Sequence, residues 1–348
     1  MEETIAVKKL NGSIQATNQD LIKLSIFTTI HGLIGGFCNS FFKKNNTAIL
    51  PQEFKGYFFH KPLFGEQLRP SIAVGIYINQ EGDKIVVKHW HARFKDSNYF
   101  LLKNEISAYF GISGLKTKAS QSKQEAFNQI YFPNLIDVLE TQHDLFLVFD
   151  FIDGSKLSSF ELKFRLQTIQ SILSYLDSFS SELQAEDFGL TTKKSWKIAA
   201  FFPSYFIISF LKNSKNYKLF FRAAKIFCLG LITSIKYSNR RLVHNDLIAS
   251  NILINQEKIS LIDFEGLTIS DSVFELVSLI LHSWKENVFP ESYSQLPAIR
   301  KILENPNEKI KFKVFGIFLI FEHLSGSNFP PGYYRQCFLL LNYLVSLE

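Results

Sequence analysis

Four polar residues at fixed offsets mark one part of the chain as a place where chemistry can happen. His244, Asp246 and Asn251 follow one another within RLVHNDLIASNILI, which then runs straight into apolar residues. Twelve residues after Asn251, Asp263 closes a second apolar run in Leu-Ile-Asp-Phe-Glu-Gly. If Asn251–Ile254 and Ile259–Ile262 pair as a hairpin, the Asn251 amide and the Asp263 carboxylate come together. A carbonyl oxygen beside a carboxylate is the hard-oxygen set that a magnesium ion bridging phosphates takes, with nucleotide and water completing the shell. Asp246, on the same loop, is then placed to receive a proton from an attacking hydroxyl. The competing readings are a turn cap for Asp246 and an Asx-turn for Asn251. For Asp263 the structural reading is weaker, because a carboxylate ending an apolar strand is costly without a partner.

Such a loop needs a scaffold, and the pattern of the chain supplies one. Strand-like segments cover Gly56–His60, Ile72–Asn79 and Lys84–Trp90, the last two joined by the turn Gln80-Glu81-Gly82-Asp83. Asp96 or Ser97 offers an N-cap for a helix over about Asn98–Phe110, with Gly111 as its stop. Two more strands, Asn134–Glu140 and Asp144–Asp150, complete a small antiparallel lobe. Beyond Gly154 the pattern turns helical, beginning with a broad apolar face from Phe160 to Phe179. Further helices are expected over about 195–212, 217–237, 271–285, 308–324 and 333–346. The expected class is α+β, in three parts: an N-terminal extension with an apolar helix over 1–54, a sheet lobe over 55–152 and a helical lobe over 153–348.

His244-x-Asp246-x4-Asn251, followed by Asp263-Phe264-Glu265, resembles the catalytic and metal loops of the protein-kinase-like fold. The nearest likeness is to the aminoglycoside phosphotransferase/choline kinase branch, where HxDxxxxN precedes a DFE-type loop. Ile85-Val86-Val87-Lys88 resembles the V-A-I-K strand of that fold, and Leu147–Gly154 resembles its adenine-contacting hinge. The resemblance covers roughly residues 55–285 and implies a bilobal ATP- and Mg²⁺-dependent kinase. It implies Asp246 as catalytic base, Asn251 and Asp263 as metal ligands, and Lys88 on the nucleotide phosphates. Glu105, the single acidic residue between Asp96 and Glu125, is the implied partner of Lys88. His244 is implied to brace the loop and takes no part in the reaction. A solvated strand lysine and an exposed helix acid are the structural alternatives for Lys88 and Glu105. Three departures bear on the substrate: Glu265 replaces the Gly of DFG, no activation segment follows Asp263, and several helices fill the stretch from Gly154 to His244. All three favour a small-molecule or glycan hydroxyl over a protein. A fourth departure, the stretch Phe64–Ser71 with one Gly and a Pro where a Gly-rich loop is expected, leaves a nucleotide-binding pseudokinase or scaffold as the alternative from another class.

Composition narrows the rest. Hydrophobic residues make up 46% and charged residues 20%, a globular balance with ample core for two lobes. The net charge of +6 is mild and comes without a dense basic block, so nucleic acid is not an expected partner. Cys38, Cys228 and Cys337 are too scattered for a disulfide framework, which points to a reducing, cytoplasmic setting. Leu24–Phe42 lacks charged residues but carries His31, Asn39 and three Gly, a poor membrane span. That stretch, the Phe-rich Ala199–Leu211 and the basic balance motivate a second expectation, peripheral membrane contact by a kinase of a membrane-linked saccharide. His89 and His91 share one face of a strand, but no third metal ligand is evident for them.

Overall fold

The computed structural model describes residues 47–63, 70–118, 130–180, 195–237, 241–256, 258–283, 290–325 and 331–347. Two expectations fall outside these residues: the apolar stretch Leu24–Phe42, with Cys38, and most of the segment in the position of a phosphate-covering loop, Phe64–Arg69.

The sheet lobe is built on β1 (Glu53–Phe54), β2 (Tyr57–Pro62), β3 (Ile72–Ile78), β4 (Lys84–His91), β6 (Leu135–Glu140) and β7 (Asp144–Asp150). They form one antiparallel sheet in the order β1-β2-β3-β4-β7-β6. The β3–β4 turn is fixed by Asn79, whose side-chain oxygen accepts from the backbone N–H of Glu81 and Asp83 (3.0 and 2.7 Å). Gly82 supplies the positive φ of +92° that the turn needs. Helix α1 (Ser97–Lys118) packs across one face of this sheet. Asp96 starts it by accepting from the Tyr99 N–H (3.1 Å) and from the indole N–H of the fully buried Trp90 (3.1 Å).

The helix does not stop at Gly111, as its sequence suggests, but continues to Lys118. An interior glycine costs a helix only about 1 kcal/mol. Burial of Tyr109 and Ile112 in the main core outweighs that propensity.

The helical lobe holds α2 (Leu162–Ser180), α3 (Ser195–Lys212), α4 (Tyr217–Lys236), α5 (Ser272–His282), α6 (Pro290–Tyr293), α7 (Pro297–Glu304), α8 (Pro306–Ser325) and α9 (Pro331–Ser346). Helix α8 is its axis, with Phe312, Phe315, Ile317, Ile320 and Phe321 all buried. A helix apolar on most faces must be enclosed, and α3, α4, α5, α7 and α9 all pack on it.

Short strands with no periodic sequence signal connect the lobes. β10 (Ile252–Asn255) pairs with β11 (Lys258–Leu261) as the expected hairpin, shifted by one residue. β5 (Ile130–Tyr131) and β8 (Ser155–Lys156) flank that hairpin. β9 (Arg241–Val243) and β12 (Thr268–Ser270) pair on either side of the two motif loops.

Candidate active site

Three acids surround one lysine where β4 faces α1. Lys88 Nζ donates to Glu105 Oε2 and to Asp263 Oδ1, both at 2.8 Å, and lies 4.0 Å from Glu265 Oε2. The alternation of β4 points Lys88 and Trp90 toward α1, and Glu105 stands on the helix turn that meets them. Burial alone would depress the Lys88 ammonium, but Asp263, Glu105 and Glu265 outweigh it and hold the group well above its ordinary value. Burial pushes the Glu105 carboxyl up to about 7, helped by repulsion from Asp263 and Glu265 and opposed by Lys88. Three carboxyl groups thus face a single ammonium. Asp263 itself sits in the left-handed region (φ 66°, ψ 68°), which a non-glycine residue adopts at some cost and which recurs at functional sites.

The second half of the site is the loop between β9 and β10. Asn251 donates its side-chain amide to the Asp246 backbone carbonyl (3.0 Å) and to Asp246 Oδ2 (2.9 Å). With the nitrogen so held, the amide oxygen turns away from Asp246. The Ile262 N–H donates to the Asn251 carbonyl (3.0 Å), extending the β10–β11 ladder to the residue before Asp263. The hairpin thus brings the loop of Asn251 alongside that of Asp263. Asp246 Oδ1 meets the His282 ring nitrogen Nδ1 at 2.8 Å, from the last turn of α5. Burial works to raise the Asp246 carboxyl, but the His282 hydrogen bond and charge, with His244 and Asn251, hold it below its usual value.

His244 is fully buried, packs on Phe264 (ring centroids 4.9 Å apart) and lies 3.2 Å through Nε2 from the Ile262 carbonyl. A carbonyl can only accept, so Nε2 carries the proton. Glu275 of α5 accepts from the backbone N–H of both His244 and Asn245. Asp271 caps the same helix through the Val273 N–H (3.0 Å) and pairs with the fully buried Lys311 of α8 (2.9 Å). These contacts brace the loop from behind.

Helix α1 is tied directly to the segment that follows Asp263. The Asn104 amide donates to the backbone carbonyls of Glu265 and Leu267, both at 2.9 Å. The Phe264 ring lies at the centre of a cluster formed by Tyr109 (5.2 Å), Phe132 (5.5 Å) and His244 (4.9 Å). Aromatic pairs of this kind contribute about 0.5–1.5 kcal/mol each beyond their buried area. Gly266 permits the closest approach: a Cβ there would stand 2.8 Å from the His244 carbonyl oxygen.

A hard divalent cation fits this donor set. Asp263 offers a partly exposed carboxylate, Asn251 an amide oxygen, and the surplus of acid around Lys88 favours a positive ion. Lys88 and Glu105, the pair that the family resemblance implies, are in contact, and Asp263 joins them. Sequence reasoning missed Asn104 and His282. It also missed the polar cluster beside His282, where the His323 ring centroid lies 5.5 Å away and the Tyr333 hydroxyl meets His323 Nδ1 at 2.7 Å. The absence of a third ligand for His89 and His91 is corrected too: Asp144, across the β4–β7 ladder, meets both rings.

Comparison with known proteins agrees with this geometry. The phosphotransferase enzyme family (APH) matches residues 229–300, the stretch that holds His244, Asp246, Asn251 and Asp263. No curated protein matches the chain in sequence. A thermostable mutant of aminoglycoside phosphotransferase APH(4)-Ia, in ternary complex with ADP and hygromycin B, superposes with a TM-score of 0.56 at 13% identity over 90% of this chain and 97% of that one. The ADP-bound aminoglycoside phosphotransferase APH(2'')-Ib gives 0.50 at 14% identity, over 83% and 93%. At such identities the likeness is one of fold. The chain has the bilobal α+β, protein-kinase-like fold of the aminoglycoside phosphotransferases, as its sequence led us to expect.

Proposed function

We propose that the protein transfers the γ-phosphoryl group of ATP to a hydroxyl of a small molecule. The observation that carries this reading is Lys88 held at 2.8 Å by both Glu105 and Asp263, the latter in the segment 262–266 that His244, Asn245 and Asn251 also hydrogen-bond. In this reading Lys88 steadies the nucleotide phosphates, and Asp263 and Asn251 hold Mg²⁺, which would neutralise charge on the transferring group. Asp246 orients the acceptor hydroxyl and takes its proton, with His282 keeping the carboxylate ionised. The acceptor lies on the Asp246 side, toward His282, His323 and Tyr333. The chemistry needs position and charge more than covalent participation, so each metal ligand should matter greatly.

A thermal-shift titration with ATP and Mg²⁺ on wild type and Asp263→Ala tests the site. A ligand specific to the native state adds about 2.7 kcal/mol at a hundredfold excess over its Kd. The expected result is a magnesium-dependent shift that the variant loses. A wild-type shift with no transfer to any hydroxyl in a broad acceptor screen would instead favour the pseudokinase.

A membrane-linked saccharide as acceptor is the second reading, and one surface favours it. α3 and α4 both pack on α8, as Phe202 and Phe220 against Phe321 show, so their outer faces look away from the core together. Those faces expose Leu211 (73%), Leu229 (74%) and Ile232 (79%). Residues 195–237 contain seven lysines and arginines and no Asp or Glu. Apolar residues set within so basic a segment suit an anionic lipid surface. A second copy of the chain would bring the same cations against it. No described helix is long and apolar enough to cross a membrane. Co-sedimentation with vesicles of neutral lipid and of neutral plus acidic lipid should show binding to the acidic ones alone, weakened by salt and by Leu229→Glu with Ile232→Glu. A protein left in the supernatant with both lipids would overturn this reading.

A further inference from the structure

Away from the Lys88 cluster, on the opposite face of β4, two imidazole nitrogens and a carboxylate oxygen meet. His89 and His91 are two residues apart on β4, and Asp144 begins β7 directly opposite His91. Asp144 Oδ1 lies 2.9 Å from His89 Nε2 and 2.8 Å from His91 Nδ1. One ligand atom from each residue falls within 4.8 Å of the other two.

The hydrogen-bonding of His89 shows why this is more than a polar contact. Its Nδ1 lies 3.0 Å from the Ile49 backbone carbonyl, which has no proton to give. Nδ1 must therefore carry the hydrogen, and in the neutral ring Nε2 carries a lone pair. That lone pair faces a carboxylate oxygen, an acceptor opposed to an acceptor. Only a cation between them, or a proton on the ring, resolves the conflict. His89 is buried and stacks flat on Phe146, with ring centroids 4.0 Å apart and planes 4° apart.

We propose that His89, His91 and Asp144 form a divalent transition-metal site, with zinc as the best match. Two imidazoles and one carboxylate are a common zinc donor set, completed by water. The surrounding contacts match what metal ligands require: the Ile49 carbonyl fixes the His89 tautomer, and the Thr141 hydroxyl donates to Asp144 Oδ2 (3.2 Å). Metal–ligand bonds of about 2.0–2.1 Å place tetrahedral ligand atoms about 3.3 Å apart, so the carboxylate must withdraw by about half an ångström. Asp144 is partly exposed and has room to do so. The ion would clip β7 and the segment at Ile49 to the strand that carries Lys88. This role is structural and independent of the phosphoryl-transfer reading.

The test uses the full chain, freed of metal by chelation and then titrated with Zn²⁺ alone, and in parallel with Co²⁺ followed by its visible absorption. The expected result is one tightly held equivalent per chain and a higher melting temperature than in the chelated protein. His91→Gln and Asp144→Asn should each lose the stoichiometric metal and the chelator sensitivity. Circular dichroism melts of both variants confirm that they fold. No stoichiometric metal in the wild type would overturn the site and leave a protonated His89 paired with Asp144. Unchanged stoichiometry in the two folded variants would overturn it equally.

Discussion

Asn104 and Glu265 are joined across the two lobes: the Asn104 side chain of α1 donates 2.9 Å hydrogen bonds to the Glu265 carbonyl and to that of Leu267. The residue beside it, Glu105, holds Lys88. One helix turn therefore fixes both the lysine and the backbone just after Asp263. Asn104→Ala should lower kcat by about 10- to 100-fold, because a displacement of about 1 Å at a reacting group costs that much. Steady-state kinetics with ATP and the identified acceptor provide the check. A variant with wild-type kcat would remove Asn104 from the positioning of the site.

His282 makes a prediction about pH. Its hydrogen bond and charge hold the Asp246 carboxyl below its usual value, so Asp246 stays ionised further into acid than an isolated aspartate would. Removing the ring raises that value, and the carboxylate then protonates at a higher pH. The acid limb of kcat/KM in His282→Ala should shift upward relative to wild type, with a smaller change at pH 8 than at pH 5. Parallel profiles displaced equally at all pH values would show that the ring acts by packing alone.

Glu140 ties the first two turns of α1 to the sheet. Its carboxylate accepts from Lys103 (2.8 Å), Tyr99 (2.6 Å) and Lys95 (3.2 Å). Burial opposes ionisation, but these three partners outweigh it and hold the carboxyl down at about 2. Its folded value lies below the unfolded one, so the contribution is complete above the ordinary value near 4.5 and is lost as pH falls toward 2. Glu140→Gln should lower the denaturation midpoint at pH 7, and the difference from wild type should shrink steadily below pH 4.5. A difference that does not change with pH would assign the effect to packing of the glutamate stem.

What the sequence disclosed and what it hid differ in kind. Lys88 and Glu105 were legible through a resemblance: Ile85–Lys88 matches the V-A-I-K strand, which implies an acid on the next helix, and Glu105 is the single acid there. The β10–β11 hairpin that brings Asn251 toward Asp263 follows from two short apolar runs and the turn between them. Asn104 and His282 carried no such mark. Each is a single polar residue in an ordinary helix, and its role depends on a partner 161 and 36 positions away. The third ligand at His89 and His91 was hidden for the same reason, since only strand register places Asp144 opposite His91. The end of α1 was misread because Gly111 signals a stop locally while Ile112 is wanted by the core. β5, β8, β9 and β12 are too short to show any period.

The aromatic cluster around Phe264 bears on how the proposed phosphoryl transfer could be silenced. Tyr109 comes from α1, Phe132 from the segment after β5, and His244 from the loop between β9 and β10, and all three rest on one ring. A compound that wedges Tyr109 away from Phe264 would move Glu105 and Asp263 together. Such an inhibitor needs no resemblance to ATP or to the phosphate acceptor, and raising the concentration of either substrate would not compete it away.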